Sequence, residues 1–199
     1  MFLSAPGPGE GRSALYARDS AEDGYVSNFT RLWAWRPDVF EAFFNLRTLL
    51  ADKAALTLRE RAILVCATAA HLGDSYCALA WGTRLAEESD PATAAAVLQR
   101  AVAPALSARE NALARWAGQV ARDPNAVTAQ DVDQLRVAGM SDEEIFTATV
   151  FVAFRVAFST VNDALGARPD AQLAAATPAA VRNAVTYGRS VSGASANDA

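Results

Sequence analysis

Apolar runs of helical length alternate with short polar stretches along most of the chain. Three of these runs open with a Ser or Thr followed three residues later by Glu: Thr57 with Glu60, Ser107 with Glu110, and Ser141 with Glu144. In such a capping box the hydroxyl and the carboxylate satisfy backbone amides that have no partner inside the helix. We therefore predict long helices at 37–52, 57–72, 74–88, 92–102, 107–122, 128–138 and 141–165, and shorter ones at 12–20 and 28–35.

The positions of proline and glycine agree with these boundaries. Four prolines fall at helix starts or between segments: Pro37, Pro91, Pro104 and Pro124. Gly139 and Gly166 follow predicted helices as C-terminal stops. Leu and Ala dominate while β-branched residues are scattered, which favours helix over sheet. The expected architecture is an all-α helical bundle: one domain over 12–190, an arm over 1–11 and a disordered tail over 191–199.

Two predicted helices differ from the ordinary amphipathic pattern. Residues 62–72 are apolar nearly all round, which is typical of a helix buried on most sides. The apolar stretch 145–158 is interrupted by Arg155 and is shorter than the roughly 20 residues that span a bilayer, so we predict a buried helix and no membrane contact. A charge in such a helix needs a partner. The acids nearest in the pattern are Glu60, Asp74 and Asp163.

Composition narrows the classes of function. A length of 199 residues with 52% hydrophobic residues suits a single domain with a sizeable core. The net charge of -4, without a cluster of basic residues, argues against nucleic acid. The first residues lack a basic region followed by an apolar core, so we expect no signal peptide and a cytoplasmic location. The single histidine, His71, excludes sites built from several histidines, and we expect neither a metal nor a cofactor.

The run Leu56–Gly82, LTLRERAILVCATAAHLGDSYCALAWG, resembles the signature helix pair of the alkylhydroperoxidase D and carboxymuconolactone decarboxylase superfamily. The segment Asp131–Gly166, which contains LRVAGMSDEEI and NDALG, is similar to the C-terminal half of the superfamily's peroxidase-related branch. Asn28–Phe44 is similar to the opening of that branch. The resemblance thus covers roughly residues 28–168 and implies a homo-oligomeric helical bundle.

In the hydroperoxidase members the signature carries two cysteines three residues apart, a nearby glutamate, and a histidine four residues after the second cysteine. Here Cys77 keeps the second cysteine position, with Tyr76 before it. Asp74 stands at the first cysteine position and Trp81 at that of the histidine. The glutamate position is occupied by Ala62, with Glu60 as the nearest carboxylate in sequence. Because a Cys-x-x-Cys disulfide cannot form, the two-thiol redox cycle is not available in its usual form.

The reactivity of Cys77 depends on opposing effects. Asp74 is well placed to cap the second helix, and the helix dipole lowers the pKa of a thiol in the first turn. The Asp74 carboxylate raises that pKa by like-charge repulsion, and Trp81 on the same face desolvates the thiol. If the dipole dominates, Cys77 attacks a peroxide and forms a sulfenic acid, with Cys66 as the only internal candidate for a partner thiol. The structural alternative is that both cysteines pack as small apolar side chains.

Two functions remain open. The first is a thiol-dependent peroxidase with Cys77 as nucleophile, Asp74 orienting or deprotonating it, and Glu60 as the neighbouring carboxylate. The second is a non-redox protein that binds a small apolar or aromatic ligand in a pocket lined by His71, Tyr76 and Trp81. Lactone decarboxylation, a third activity of the superfamily, is disfavoured because the resemblance there also calls for the missing histidine.

Overall fold

The computed structural model describes residues 1–52, 56–103 and 105–193, which form eleven α-helices and contain no strand. In chain order the helices are α1 (Glu10–Glu22), α2 (Asn28–Trp33), α3 (Pro37–Asp52), α4 (Leu58–Leu72), α5 (Ser75–Glu88), α6 (Pro91–Leu98), α7 (Ala108–Arg122), α8 (Ala129–Val137), α9 (Asp142–Ala164), α10 (Ala171–Ala176) and α11 (Ala179–Ala184). A 3-10 turn at Pro124–Ala126 joins α7 to α8. The all-α prediction is confirmed.

The capping boxes fix the starts of α4, α7 and α9 as the sequence predicts. At α4 the amide of Glu60 donates to the Thr57 hydroxyl at 3.1 Å, and the Glu60 carboxylate accepts from the Thr57 amide at 2.8 Å. A fourth box opens α8, where Asp131 takes the place of the usual glutamate opposite Thr128. Each box supplies partners for amides that the helix itself leaves unpaired.

The predicted helix 92–102 ends earlier, at Leu98, because of a backbone conformation that its sequence does not indicate. Arg100 has a left-handed backbone with φ 58°, the conformation that usually signals glycine after a helix. The amide of Ala101 donates to the Ala96 carbonyl at 2.9 Å, and the amide of Arg100 donates to the Val97 carbonyl at 3.0 Å. This pair of hydrogen bonds closes the helix as a Schellman motif.

Helix α4 lies at the centre of the bundle. It packs against α5, α6, α7 and α9, and nearly all of its residues from 62 to 70 are buried. Its all-round apolar sequence follows from this position. Gly73, with φ 76°, ends α4 in the left-handed conformation and turns the chain directly into α5. The first turn of α5 therefore lies against the hydrophobic core.

Helix α9 buries one face and exposes the other. By length and composition alone it could cross a membrane, a test that core helices of soluble proteins also pass, and 44% of the apolar window is buried inside the fold. The buried face carries polar side chains, and one of them, Asn162, accepts a hydrogen bond through Oδ1 from the Trp33 indole at 2.8 Å. Phe146, on the other face, is 70% exposed. The packing of the buried face agrees with the predicted buried helix.

The two ends of the chain contact the bundle. In the predicted arm the amide of Phe2 donates to the Leu165 carbonyl at 2.9 Å, and α1 already begins at Glu10. Near the other end the amide of Ser192 donates to the Pro169 carbonyl at 2.8 Å. Residues 194–199 of the predicted disordered tail lie outside the described residues.

Candidate functional site

Asp74 is the N-cap of α5, as the sequence predicts. Its Oδ1 accepts a hydrogen bond from the Cys77 amide at 2.9 Å. The side chain is fully buried, and Oδ2 has no hydrogen-bond partner among the described residues. A carboxylate enclosed in this way adds unbalanced negative charge beside the first turn of α5.

The sulfur of Cys77 is enclosed between α5 and α9. Cys77 is 3% exposed. The Arg155 guanidinium donates to Sγ through Nη2 at 3.0 Å, and the Ser159 hydroxyl donates a longer hydrogen bond at 3.9 Å. Both donors lie on the buried face of α9, one turn apart. The thiol is therefore held by a cation and a hydroxyl from a helix that lies almost 80 residues away in sequence.

Burial decides the ionisation of this thiol. Desolvation raises the pKa of Cys77 most, and the negative charge of Asp74 raises it further. Arg155 and Ser159 act in the opposite direction, but the pKa of the thiol remains well above its ordinary value. Of the opposing effects on the pKa of Cys77 that the sequence leaves open, those that favour the protonated thiol over the thiolate are therefore the larger. Near neutral pH Cys77 is a protonated thiol, the less nucleophilic form.

Arg155 lacks the acidic partner that the sequence analysis predicts. That analysis nominates Glu60, Asp74 and Asp163. None of them forms an ion pair with Arg155 in the described part of the chain. The guanidinium instead lies over aromatic rings, with ring centroids 4.8 Å away for Phe158, 5.6 Å for Trp81 and 5.9 Å for Phe154. Cation–π contacts and a sulfur acceptor take the place of the expected ion pair.

Glu60 is engaged in a structural ion-pair network. Besides its capping box, it accepts from Arg109 Nε at 2.6 Å, and Arg109 Nη2 donates to Glu144 at 2.8 Å. The network joins the starts of α4, α7 and α9. No contact within the described ranges joins Glu60 to Cys77. The structure therefore does not bring this predicted site residue to the thiol.

Tyr76 connects α5 to neighbouring helices through buried contacts. It is 5% exposed, its hydroxyl donates to Asp170 Oδ2, and its ring meets the ring of Phe29 edge-on at 5.6 Å. Asp170 also accepts from the Asn28 amide at 3.0 Å. These contacts join α5 to α2 and to the start of α10. Tyr76 is not among the residues that line the His71 cleft or the Trp81 cleft, and its hydroxyl is bonded to a buried partner, so its role in a ligand pocket stays a prediction.

His71 lies in a cleft on a different side of α4 from Trp81. This His71 cleft, of about 400 Å³, is also lined by Arg100, Arg115 and Arg122. His71 Nδ1 is 2.9 Å from the Ala67 carbonyl of its own helix. Gly118 of α7 makes room for the ring, since a Cβ there would lie 2.4 Å from His71 Cε1. His71 and Trp81 therefore do not form one pocket, contrary to the sequence-based prediction.

Trp81 forms the wall of a second cleft, of about 370 Å³, between α3, α4, α5 and α9. The side chains that define this Trp81 cleft are Arg47, Arg61, Trp81, Arg84, Glu87 and Phe151. Cys77 and Arg155 are not among its lining residues. Trp81 lines the cleft and also packs against the Arg155 guanidinium, which bonds the Cys77 sulfur. The tryptophan at the position of the motif histidine thus contacts the cation that holds the thiol.

Neither cysteine forms a disulfide. Cys66 of α4 and Cys77 are both free and buried. Burial also raises the pKa of Cys66, so it too is protonated near neutral pH. Among the described residues, no group of three or more His, Cys, Asp or Glu side chains could hold a metal ion.

The role of Asp74 can be tested with two variants. Asp74→Asn keeps a capping oxygen but removes the charge, so we expect the pKa of Cys77 to fall and its alkylation to speed up. Asp74→Ala also removes the cap and is expected to cost about 0.5–2 kcal/mol of stability. The pH dependence of iodoacetamide labelling and urea unfolding measure the two effects. Slower labelling of Asp74→Asn would instead identify Asp74 as a base that deprotonates the thiol.

Asp163 of α9 introduces a pH dependence of stability. Burial, and then the charge of Asp74, raise the pKa of Asp163 to about 7, while Arg189 opposes them. The protonated form therefore stabilises the fold below about pH 4, and this contribution is lost as the pH rises towards 7. Because the side chain is partly exposed, we expect Asp163→Asn to gain only about 1–2 kcal/mol over the wild type between pH 4 and pH 8. Urea unfolding of the variant and the wild type at pH 4 and pH 8 measures this gain. An equal difference in stability between the two proteins at both pH values would contradict the raised pKa of Asp163.

No family model matches the sequence, and no curated protein matches it. Solved structures, in contrast, do match this chain. An uncharacterized peroxidase-related protein from Ralstonia eutropha, described as an alkylhydroperoxidase D core, shares 26% identity at a TM-score of 0.77, over 86% of this chain and 93% of that one. A peroxidase-related protein from a Silicibacter species gives 22% identity and a TM-score of 0.77, with the same coverage of 86% and 93%. The apo form of a debrominase shares 13% identity at a TM-score of 0.70, over 87% of this chain and 91% of that one.

These structures define the class of protein: an all-α fold of the alkylhydroperoxidase D type. Within that class, the chain is similar to peroxidase-related proteins of the alkylhydroperoxidase D-like superfamily, and its sequence keeps only Cys77 of the Cys-x-x-Cys motif. The similarity to the two structures below 25% identity concerns the fold alone. The chemistry of this chain has to be inferred from its own residues.

Proposed function

We propose that this chain binds a small organic molecule in the Trp81 cleft and does not carry out a thiol peroxidase cycle. The observation that carries this proposal is the enclosure of Cys77, which is 3% exposed and whose sulfur is held by Arg155 and Ser159 of α9. A peroxidatic thiol has to meet its substrate as an accessible thiolate. Cys77 meets neither condition.

The Trp81 cleft has the general features of a ligand site. Its volume of about 370 Å³ falls within the usual range for small-molecule pockets. Trp81 supplies a small exposed aromatic surface, backed by the buried ring of Phe151, and three arginines supply polar groups that can orient a ligand. This combination of an apolar wall with a few charged groups is typical of binding sites.

A one-cysteine peroxidase is the second candidate, and one contact favours it. Arg155 Nη2 lies 3.0 Å from the Cys77 sulfur, where its charge would stabilise a thiolate. In that reaction the thiolate attacks a peroxide oxygen, the O–O bond breaks, and an alcohol or water leaves with the second oxygen. The resulting sulfenic acid is then reduced by an external thiol or by Cys66, with release of water. This candidate requires Trp81 to move aside.

Peroxide treatment separates the two candidates. The Cys66→Ala variant leaves Cys77 as the only thiol, and mass spectrometry after exposure to cumene hydroperoxide or hydrogen peroxide reports its oxidation. We expect Cys77 to remain a thiol under conditions that oxidise free cysteine. The unfolded Cys66→Ala chain is the matched control, because its Cys77 is accessible. Rapid formation of a sulfenic acid in the folded variant would favour the peroxidase instead.

We further propose that the chain forms a homo-oligomer in the cytoplasm. Exposed apolar side chains on α3 and α9 support it: Phe146 is 70% exposed, Leu49 66% and Leu46 40%. Large apolar groups on a surface often mark contacts between subunits. Light scattering of the purified chain measures the oligomeric state, and a strictly monomeric protein at high concentration would contradict the expected homo-oligomer.

A further inference from the structure

The Trp81 cleft carries an excess of positive charge. Its lining contains Arg47, Arg61 and Arg84 but only one acid, Glu87, which is exposed. The three arginines come from three helices, α3, α4 and α5. Since the protein as a whole has a net charge of -4, three converging guanidinium groups are a local exception.

These arginines have no acidic partner in the part of the chain that the structure describes. None of the three takes part in an ion pair there. Arg61 Nε is buried without a hydrogen-bond partner. A buried donor left unpaired costs free energy, and a bound acceptor would remove that cost. An anion bound in the cleft would give these donors an acceptor.

The surrounding charges agree with this interpretation. The pKa of Arg47 is lowered, first by burial and then by the like charges of Arg84, Arg155 and Arg61. Mutual repulsion of this kind shows that the positive charges are close together, and at Arg84 the charges of Asp23 and Glu87 offset it only in part, since the pKa of Arg84 is also lowered. A ligand with negative charge would relieve it.

The aromatic wall adds a second requirement. The Arg84 guanidinium lies over the Trp81 ring at 4.8 Å from its centroid, and Phe151 borders the same cleft. Trp81 is 8% exposed, so a planar ring in the cleft would meet the exposed part of the indole and the Arg84 guanidinium that lies over it. Guanidinium groups bind carboxylates through paired hydrogen bonds. The cleft thus offers one surface for a ring and another for a carboxylate.

We propose that Arg47, Arg61 and Arg84 bind the carboxylate of a small aromatic acid whose ring packs against Trp81. This inference rests on the proposed binding function and specifies the chemical class of the ligand. It also accounts for the tryptophan at the position of the motif histidine, since the indole packs against the Arg155 guanidinium beside Cys77 and supports the ligand's ring.

Isothermal titration of the full chain with sodium benzoate tests the proposal. We expect benzoate to bind, and to bind at least about tenfold more tightly than benzyl alcohol, which has the ring without the charge, or inorganic phosphate, which has the charge without the ring. Arg84→Gln, at an exposed position, should weaken benzoate binding by about tenfold while the circular dichroism spectrum stays that of the folded wild type. Arg61→Met should do the same. Arg168→Gln, at an exposed arginine outside the cleft, is the matched control and should leave binding unchanged.

The outcomes distinguish this inference from the proposed function. Equal binding of benzoate and benzyl alcohol, unaffected by Arg84→Gln, would overturn the charge requirement and leave a neutral-ligand site. Equal binding of phosphate and benzoate would overturn the aromatic requirement. If benzoate binds only to a dissociated form of the protein, a second copy of the chain fills the cleft and the proposal is overturned. Failure of the proposed function itself would appear instead as rapid oxidation of Cys77 by peroxide.

Discussion

Trp81→Ala is expected to raise the rate at which Cys77 reacts with iodoacetamide by about tenfold or more, because it opens the Trp81 cleft to the sulfur. In the native protein the indole is 8% exposed and packs 5.6 Å from the Arg155 guanidinium. Its removal hydrates the thiol, which lowers the pKa of Cys77 and increases the thiolate fraction. Labelling followed by peptide mass spectrometry measures the rate at each cysteine.

Cys66 provides the internal control for this experiment. Loss of a large side chain destabilises the protein by about 3–5 kcal/mol, and general unfolding would also speed up labelling. Cys66 is 0% exposed in α4 and is not next to the cleft, so its labelling reports unfolding alone. A parallel rise at both cysteines, or no rise at Cys77, would show that Trp81 does not gate access to the thiol.

Phe151→Ala is expected to reduce the free energy of unfolding by about 3–5 kcal/mol. Phe151 is 0% exposed, lies on the buried face of α9, and borders the Trp81 cleft. Truncation to alanine loses apolar burial and leaves a cavity against α4, which α9 contacts. Urea unfolding measures the change in free energy.

Phe146→Ala is the matched control on the same helix. Phe146 is 70% exposed, so the same substitution should change the stability of the monomer by less than about 0.5 kcal/mol. The comparison tests the orientation of α9 without changing the chemistry of the substitution. Comparable losses at both positions would mean that the exposed face of α9 is buried in the folded protein, for instance between subunits.

Much of the fold could be predicted from the sequence because helix starts depend on local chemistry. The capping boxes that begin with Thr57, Ser107 and Ser141 set the starts of α4, α7 and α9. The short helices α10 and α11 were missed, since neither has a side-chain cap and each has only six residues. The end of α6 was misplaced because Arg100 occupies a left-handed position that glycine usually marks.

The site was only partly predictable for a related reason. The capping role of Asp74 and the shared helical face of Cys77 and Trp81 follow from spacing within one helix. The contact between Arg155 and Cys77 joins residues far apart in sequence, and a sulfur acceptor for a buried arginine has no sequence pattern. Only the tertiary packing reveals it.

The arginines of the Trp81 cleft were missed for the same reason as that contact. Arg47, Arg61 and Arg84 come from separate helices and look like ordinary surface residues in the sequence. One signal was available, because Arg84 follows Trp81 by three residues on the same face of α5.

Titration of the Cys77 thiol is the most direct test of the central claim that it is enclosed and protonated. In Cys66→Ala, the ultraviolet absorbance of the thiolate can be followed against pH, with Cys66→Ala/Cys77→Ala subtracted as the background from tyrosine. We expect no thiolate to form below about pH 9 while the protein remains folded, above the ordinary cysteine pKa of about 8.5. A transition at or below about pH 7 would contradict the account, because Arg155 would then hold a reactive thiolate.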